Sequence, residues 1–377
     1  MWPPSDEREA AIRAAAAPPL DWNRFHRVAA RHRIMGLVRD GLKRSEIHPP
    51  SAIDDAIRTA AAAQLRNNLS FAAELVRLQR AFDQRNLPVT VFKGIPTGLQ
   101  IYGNLATRHA KDIDMMVAPA SVLDACALLE SAGYRRVDPP TGVSGARLKT
   151  LLRTGKDFVF QHAGNSELEV ELHWRLFNNQ NFMDQLETVT ETFPALDNTR
   201  FRTFSGDDQF AYLCAHGAAF AWCRLKWLAD VGAILARNDP DGMVRLYEAA
   251  IARGAGRPAG QAILLCQRLL GLRVADDLLG TLRGDRQISR LERLAIQALT
   301  SGEGEADPYD SPGGMKPIAR SLWLLGGTAH YLWGEFKSRW ISWNDVIAVP
   351  LPDGLQFAYA VLRLPLWLKR KLASRAR

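Results

Sequence analysis

The stretch ELEVELHW, residues 167 to 174, alternates between acidic or polar side chains and apolar ones. A period of two places alternate side chains on opposite faces of a β-strand. Glu169, Glu171 and His173 are therefore expected on one face, with Glu167, while the other face is apolar. The apolar face must be buried against other elements, and the acidic face must be solvated or neutralised.

A second strand with an acidic face is predicted at DIDMMVA, where Asp112 and Asp114 share one side. It follows LPVTVFKG, a short β-rich run that ends in Lys93 and Gly94. If the two acidic strands are neighbours, several carboxylates converge and need cations to offset their repulsion. Mg²⁺ held by carboxylates and substrate phosphates would do this. The alternative is that residues 167–171 are the solvated face of an antiparallel strand.

The order of patterns predicts three regions. Residues 1–85 are rich in Ala, Arg and Leu and are expected to be helical, residues 86–204 form a small α/β core, and residues 205–377 are again helical. DFVFQHAG and ELEVELHWRL are expected to pair as a hairpin around Gly164 and Asn165. Residues 207–237 predict one long helix, because acidic residues at its start and basic ones at its end suit the helix dipole.

Bulk composition restricts the partners and the compartment. The net charge of +8 suits anionic partners such as nucleotides, nucleic acid or an acidic membrane surface. The four scattered cysteines favour buried free thiols over zinc ligation or disulfides. No signal-peptide pattern and no clean apolar run of about 20 residues is recognised, so a cytoplasmic location is expected.

Several short motifs occur in a fixed order along the chain. They are Lys93-Gly94, Tyr102-Gly103, Arg108, Asp112-Ile113-Asp114, Glu171-Leu172-His173-Trp174, and a later helix with His216, Trp222, Arg224, Leu225, Lys226, Trp227 and Asp230. Together they resemble the bacterial uncharacterised nucleotidyltransferase family of the polymerase-β-like superfamily. The closing segment LPDGLQFAYAVLRLPLWL is similar to the family's closing segment, and with it the resemblance is expected to cover roughly residues 65 to 370.

The resemblance implies an α+β fold, in which a small mixed β-sheet nucleotidyltransferase core is flanked by helices and the C-terminal half is mainly helical. It also implies a Mg²⁺-dependent site. Asp112, Asp114 and Glu171 are interpreted as its metal ligands, with two Mg²⁺ ions, and Glu171 is alternatively a base that takes the acceptor's proton. Lys93 and Gly94 are interpreted as phosphate-binding residues, although Lys93 is otherwise a plain surface lysine.

Other residues of the motif set have two interpretations each. Arg108 either contacts the nucleotide phosphates or braces the aspartate pair as a salt bridge. Lys226 and Asp230 are four residues apart, so they are either acceptor-side residues or a plain helix pair. The residues predicted for the acceptor side are Glu169, His173, His216, Lys226 and Asp230. His173 has a structural hydrogen bond as its alternative, and His216 is expected near the same helix face as Asp230.

The predicted reaction moves a nucleoside monophosphate from a nucleoside triphosphate, with ATP expected, to an unidentified acceptor and releases pyrophosphate. The acceptor is a glycan, a modified peptide or a small molecule. The alternatives are a non-catalytic nucleotide-binding scaffold and an RNA-directed nucleotidyltransferase. Two departures from the superfamily pattern motivate the scaffold: Ile95 follows Gly94 where a serine is usual, and Glu171 stands where an aspartate is common.

The C-terminal segment RLPLWLKRKLASRAR is basic and amphipathic. This pattern is typical of weak contact with an anionic membrane or with nucleic acid. The alternative interpretation is a solvated helix end.

Overall fold

The computed structural model describes residues 2–184, 186–192, 196–310 and 313–373, except the side chains of Asp353 and residues 369–373. Up to residue 205 the elements are α1 (Asp6–Ala15), α2 (Trp22–Arg31), α3 (Met35–Arg44), α4 (Ser51–Gln84), β1 (Thr90–Val91), α5 (Ile95–Tyr102), β2 (Ile113–Met116), α6 (Val122–Ser131), β3 (Tyr134–Asp138), α7 (Gly145–Thr154), β4 (Asp157–His162), β5 (Asn165–His173), β6 (Thr188–Thr192) and β7 (Arg200–Phe204).

The described residues after 205 form helices joined by turns. They are α8 (Gly206–Ala219), α9 (Leu225–Leu235), α10 (Pro240–Ala252), α11 (Gly256–Leu270), α12 (Asp276–Gly284), α13 (Arg286–Leu299), α14 (Met315–Ser321), α15 (Ala329–Trp340), α16 (Trp343–Ala348) and α17 (Ala358–Ala373). In the described part of the chain a small mixed sheet of seven strands accompanies these helices. The prediction of an α+β fold with a mainly helical C-terminal half is therefore confirmed.

The chain divides into two compact units that interleave in sequence. Unit 1 comprises Met1–Arg77, Val91–Ile113 and Gln185–Gly326, and unit 2 comprises Leu78–Thr90, Asp114–Asp184 and Gly327–Arg377. The predicted domain boundaries after residues 85 and 204 follow chain order instead, and they stay a prediction.

Unit 2 contains the hairpin that was predicted from the alternating pattern. Strands β3, β4, β5 and β2 are neighbours in that order, and β4 pairs antiparallel with β5. Val159 lies opposite Glu171 and Asp157 lies opposite His173, with a register shift after Gln161. The backbone N–H of Val117 donates to the carbonyl of His173 at 3.0 Å. This pairing fixes the acidic end of β5.

Unit 1 contains a strand pair that the sequence analysis missed. Strands β6 and β7 pair antiparallel, and β7 packs its buried Phe201 and Phe204 into the core. Helix α8 follows directly, with its first turn capped by the hydroxyl of Ser205, which accepts from the N–H of Asp208. Buried apolar residues along α8 anchor it in unit 1.

The prediction of one helix over residues 207–237 is wrong, because the chain forms α8 and α9 with a reversal between them. Ala221 and Trp222 adopt left-handed backbone conformations, with φ of 47° and 52°, which a continuous helix excludes. The fully buried Trp222 ring packs on Gly217, where a Cβ would approach Trp222 Cε3 to 2.6 Å. A tertiary contact therefore ends the helix.

Two further properties concern the whole described chain. None of its helices combines the length and the apolarity that crossing a membrane requires. Cys126, Cys214, Cys223 and Cys266 are buried free thiols, as the sequence predicted.

His32 helps to fix the start of α9, which carries Lys226 and Asp230. The backbone N–H of Leu225 donates to His32 Nδ1 at 3.1 Å, so this ring nitrogen must be unprotonated. Burial lowers the pKa of His32 to about 3, and the positive charges of Arg31 and Arg224 act in the same direction. The neutral imidazole is therefore part of the folded structure.

The stability of the protein should depend on pH through His32. Because the pKa of His32 in the folded state lies below the ordinary histidine value of about 6.5, its contribution to stability is fully present above about pH 6.5 and is lost as the pH falls towards 3. From pH 7 to pH 5 we expect this residue alone to lower the free energy of unfolding by about 2 kcal/mol. Urea unfolding at both pH values measures this change.

The matched variant for this measurement is His32→Asn, whose amide oxygen can accept from the N–H of Leu225 and does not titrate. The stability difference between wild type and variant should change by about 2 kcal/mol between pH 7 and pH 5. A difference independent of pH would contradict the assignment.

Candidate active site

Strand β5 presents its acidic face at the candidate site. Leu168, Val170 and Leu172 are buried on its apolar side, while Glu169 and Glu171 are half-buried on the other. This is the arrangement that the alternation of the sequence predicts. The polar side ends in His173, which is buried.

Two carboxylates and one imidazole meet within unit 2, and we call them the Asp114–Glu171–His173 cluster. Asp114 on β2 is 1% exposed. His173 Nε2 lies 3.2 Å from Asp114 Oδ1 and 3.2 Å from Glu171 Oε2. One ligand atom from each residue lies within 4.8 Å of the others. The structure thus brings together two predicted metal ligands and one predicted acceptor-side residue.

His173 balances the negative charge of this cluster. Burial and the positive charge of Lys156 lower its pKa, but hydrogen bonds to Asp114 and Glu171 and the charge of Asp157 outweigh them and raise it. A protonated imidazole donates its Nε2 proton to the carboxylates. The negative charge of Asp114 and Glu171 is therefore partly compensated by His173, which lies on the same strand as Glu171.

Asp157 is a neighbour of the cluster that the sequence analysis missed. Its Oδ2 lies 3.8 Å from His173 Nε2, and the ammonium of Lys156 pairs with it. The signal for it was the hairpin, because the register of β4 and β5 sets Asp157 opposite His173. The register shift after Gln161 hides this pairing, since it changes the count from the turn by three residues.

The donor set fits a divalent cation. Two carboxylates offer the hard oxygens that Mg²⁺ prefers, and the imidazole nitrogen is a donor that transition metals such as Mn²⁺ accept more readily. The three side chains are close enough to bind one cation together. Alternatively, Asp114 and Glu171 bind it while His173 orients them. Asp112 is two residues before Asp114 in the chain and is half-buried.

Unit 1 contains the start of α5, where phosphate binding was predicted. Gly94 adopts φ of +70° as the residue before the helix and offers no capping side chain. A Cβ at this position would lie 3.2 Å from the carbonyl oxygen of Asp112, so the position favours glycine. Helix N-termini attract anions. Lys93, directly before Gly94, is half-buried.

Arg108, Asp230 and Tyr102 form a buried network in unit 1. Arg108 Nε donates to Asp230 Oδ2 at 2.9 Å, and the Tyr102 hydroxyl donates to Asp230 Oδ1 at 3.0 Å. Arg108 also donates to the carbonyl of Gly94 at 3.2 Å. Burial and the charge of Asp230 raise the pKa of Tyr102, so it stays a donor. The salt bridge of Arg108 is with Asp230, whereas a salt bridge to the Asp112–Asp114 pair and contact with the nucleotide stay predictions.

Lys226 is buried at the start of α9, near other basic groups. Its Nζ donates to the carbonyl of His109 at 3.4 Å. Burial lowers the pKa of Lys226 to about 7; the positive charges of Arg108 and Arg33 add to this effect, whereas the charge of Asp112 opposes it. The charge of Asp230 opposes it as well, so Lys226 interacts with Asp230 and also belongs to a basic group around Asp112.

Arg33 and His109 belong to this basic group and were missed by the sequence analysis. Arg33 precedes the stretch on which the motif resemblance rests, and its half-buried side chain interacts with Asp112. Burial lowers the pKa of His109 to about 3, with Lys226 and Arg33 acting in the same direction. The histidine is thus neutral at physiological pH, and Arg33 is a cationic group that interacts with Asp112.

His216 lies in an aromatic cluster of unit 1. Its ring is 5.0 Å from that of Phe220 and 5.1 Å from that of Trp227, measured between centroids. The expectation that it shares one helix face with Asp230 is wrong, because His216 is on α8 and Asp230 is on α9. An acceptor-side role for His216 stays a prediction.

Comparison with known proteins identifies one family and one solved structure. A family described as uncharacterised nucleotidyltransferase matches residues 18–271. This confirms the family drawn from the motifs, while the resemblance of the closing segment, beyond residue 271, stays a prediction. The solved structure is an antigenic nucleotidyltransferase-like protein from Paracoccidioides brasiliensis, 14% identical, with a TM-score of 0.34 over 56% of this chain and 91% of that chain. No curated protein matches this chain.

Proposed function

Because the chain belongs to the uncharacterised nucleotidyltransferase family, we propose that it transfers a nucleoside monophosphate from a nucleoside triphosphate to an acceptor hydroxyl or phosphate. The acceptor oxygen attacks the α-phosphorus, the bond to the β-phosphate oxygen breaks, and pyrophosphate leaves. The observation that carries the proposal is the Asp114–Glu171–His173 cluster on adjacent strands of unit 2.

Asp112, Asp114 and Glu171 are the proposed ligands of Mg²⁺, with two ions. Support comes from the carboxylates of Asp114 and Glu171, whose ligand atoms lie within 4.8 Å of each other, and from Asp112, which directly precedes β2 and is two residues before Asp114. Bound Mg²⁺ would offset phosphate charge and stabilise the charge that develops on the reacting oxygens. Glu171 is alternatively the base that takes the proton of the acceptor.

The triphosphate is proposed to bind beside Gly94 and the N-terminus of α5, with Lys93 next to it. The positive φ of Gly94 and the helix dipole support this position. Lys226 and Arg33 add positive charge near Asp112. Arg108 would act by holding Gly94 and Asp230 in place. ATP as the donor and a cytoplasmic location remain predictions.

The acceptor side is proposed to include Glu169, His173, His216, Lys226 and Asp230. Within this set His173 has the best support, because its proton is shared with the proposed ligands Asp114 and Glu171. In this position it would orient Glu171 and limit its charge before the substrates bind. A glycan, a modified peptide or a small molecule is the proposed acceptor.

The test is to incubate the protein with each α-labelled nucleoside triphosphate, Mg²⁺ and an extract of host cells, and to identify what carries the label. Transfer to a glycan, peptide or small molecule with release of pyrophosphate supports the proposal. Label on RNA would instead identify the RNA-directed alternative. Binding of nucleotide without any transfer would identify the scaffold alternative.

The matched variants are Glu171→Gln and Glu167→Gln, which make the same change on one strand. Glu167 is exposed near the start of β5, whereas Glu171 lies in the cluster. We expect transfer to be lost in Glu171→Gln and retained in Glu167→Gln. Equal activity of both variants with wild type would rule out the proposed role of Glu171.

A further inference from the structure

Helix α17 exposes its apolar side. Phe357, immediately before the helix, and Val361, Leu364 and Leu368 are 69%, 74%, 72% and 51% exposed. Their spacing of three and four residues places them on one face. A surface helix of a globular protein normally turns such a face inwards, so α17 has the opposite orientation.

Contacts within unit 2 hold α17 in this orientation. Tyr359 is fully buried, and its hydroxyl donates to the carbonyl of Val349 at 2.6 Å. Arg363 donates to the buried carboxylate of Asp345 at 3.3 Å. The polar anchors therefore lie on the protein side of the helix, and rotating α17 to bury its leucines would break both of them.

The sequence that follows this apolar face is basic. From residue 364 to the C-terminus the chain has no acidic residue and five basic ones, namely Lys369, Arg370, Lys371, Arg375 and Arg377. Lys369, Arg370 and Lys371 directly follow Leu368 in the sequence. The side chains of residues 369–373, and residues 374–377, lie outside the described part, and their charge follows from the sequence alone.

We propose that the exposed face of α17 binds the surface of a membrane that contains anionic lipids. The apolar residues enter the boundary between head groups and acyl chains, and the basic residues attract the negative head groups. An apolar face with phenylalanine and leucine next to lysine and arginine is the pattern of interfacial helices. Binding is peripheral and independent of nucleotide transfer.

A second exposed apolar stripe in unit 2 lies on α15. Trp333, Phe336 and Trp340 are exposed there, and the rings of Trp333 and Phe336 stack with centroids 5.6 Å apart. This stripe is not assigned the anchoring role, because α15 lacks a run of basic residues like the one that follows α17. The charge pattern selects α17 and an anionic surface.

Sedimentation of the full-length protein with vesicles tests the proposal. Vesicles of phosphatidylcholine alone are compared with vesicles that also contain phosphatidylglycerol. The protein should sediment with the phosphatidylglycerol vesicles only, and added salt should weaken this binding. Val361→Ser combined with Leu364→Ser should weaken it by about tenfold or more, because two apolar anchors are lost.

Leu123→Ser is the control, because Leu123 is 54% exposed on α6 of the same unit and precedes no basic segment. It should bind vesicles as wild type does, and circular dichroism should show that all variants are folded. The proposal is overturned if neither vesicle binds, if both bind equally, or if the double variant binds as wild type does. A dimer that the double variant disperses, without vesicle binding, would assign the face to self-association instead.

Discussion

Replacing Asp114 with asparagine should lower the rate of nucleotidyl transfer by about a thousandfold, the equivalent of several kcal/mol of lost stabilisation at the reacting phosphate. Asparagine has nearly the same size but no charge, so a buried ligand position for a divalent cation is lost. The same change removes one of the two carboxylates that accept from His173. The transfer rate under saturating nucleotide measures the effect.

A second readout separates loss of the metal from loss of the fold. Binding of Mn²⁺ to the protein without nucleotide, followed by electron paramagnetic resonance, should weaken in Asp114→Asn. Asp124→Asn is the control, because Asp124 is an exposed acid on α6, and it should leave both metal binding and transfer unchanged. Near-normal transfer in a folded Asp114→Asn protein would remove the cluster from the mechanism.

The acidic face of β5 was predictable because it depends only on the alternation of residues within the strand itself. A strict period of two has one structural interpretation, and the apolar residues that alternate with Glu169 and Glu171 are buried in the structure. The hairpin followed from the glycine between two such runs. The proton that His173 shares with Asp114 was not predictable, since it depends on which strand becomes the neighbour of β5.

Elements whose sequence is not periodic were missed. Strand β6, Thr188–Thr192, is mostly exposed and polar, so it shows no apolar face from which a strand is recognised. Strand β3 carries Arg135 and Arg136 and was interpreted as a loop boundary. Both are strands because their backbones pair with a neighbouring strand. That pairing cannot be recognised from the sequence of either segment alone.

The reversal between α8 and α9 has the same kind of cause. Residues 207–237 are mostly apolar with favourable end charges, so local propensity predicts one helix. The packing of Trp222 on Gly217 overrides this propensity. One consequence is functional, because the reversal separates Asp230 from His216 and directs Asp230 to Arg108, which is 122 residues earlier in the chain.

Removing the carboxylate in Asp230→Ala should therefore destabilise the protein strongly, by about 3–5 kcal/mol in the free energy of unfolding. The cost arises because Arg108, 6% exposed, stays buried without its charged partner, and because the hydroxyl of Tyr102 loses its acceptor. Urea unfolding at neutral pH measures it. Asp55→Ala removes an exposed partner of Arg58 and should change stability by no more than about 0.5 kcal/mol.

A double variant tests whether the buried charge is the cause. Arg108→Met combined with Asp230→Ala removes the charge together with its partner, so it should be more stable than Asp230→Ala alone. If the double variant is instead less stable, by the sum of the two single changes, Arg108 and Asp230 act independently. If the effects of the two substitutions on stability are coupled, the network of Arg108, Asp230 and Tyr102 holds α5, and with it Gly94, against α9 within unit 1. In that case the geometry of the proposed phosphate site depends on the salt bridge between Arg108 and Asp230.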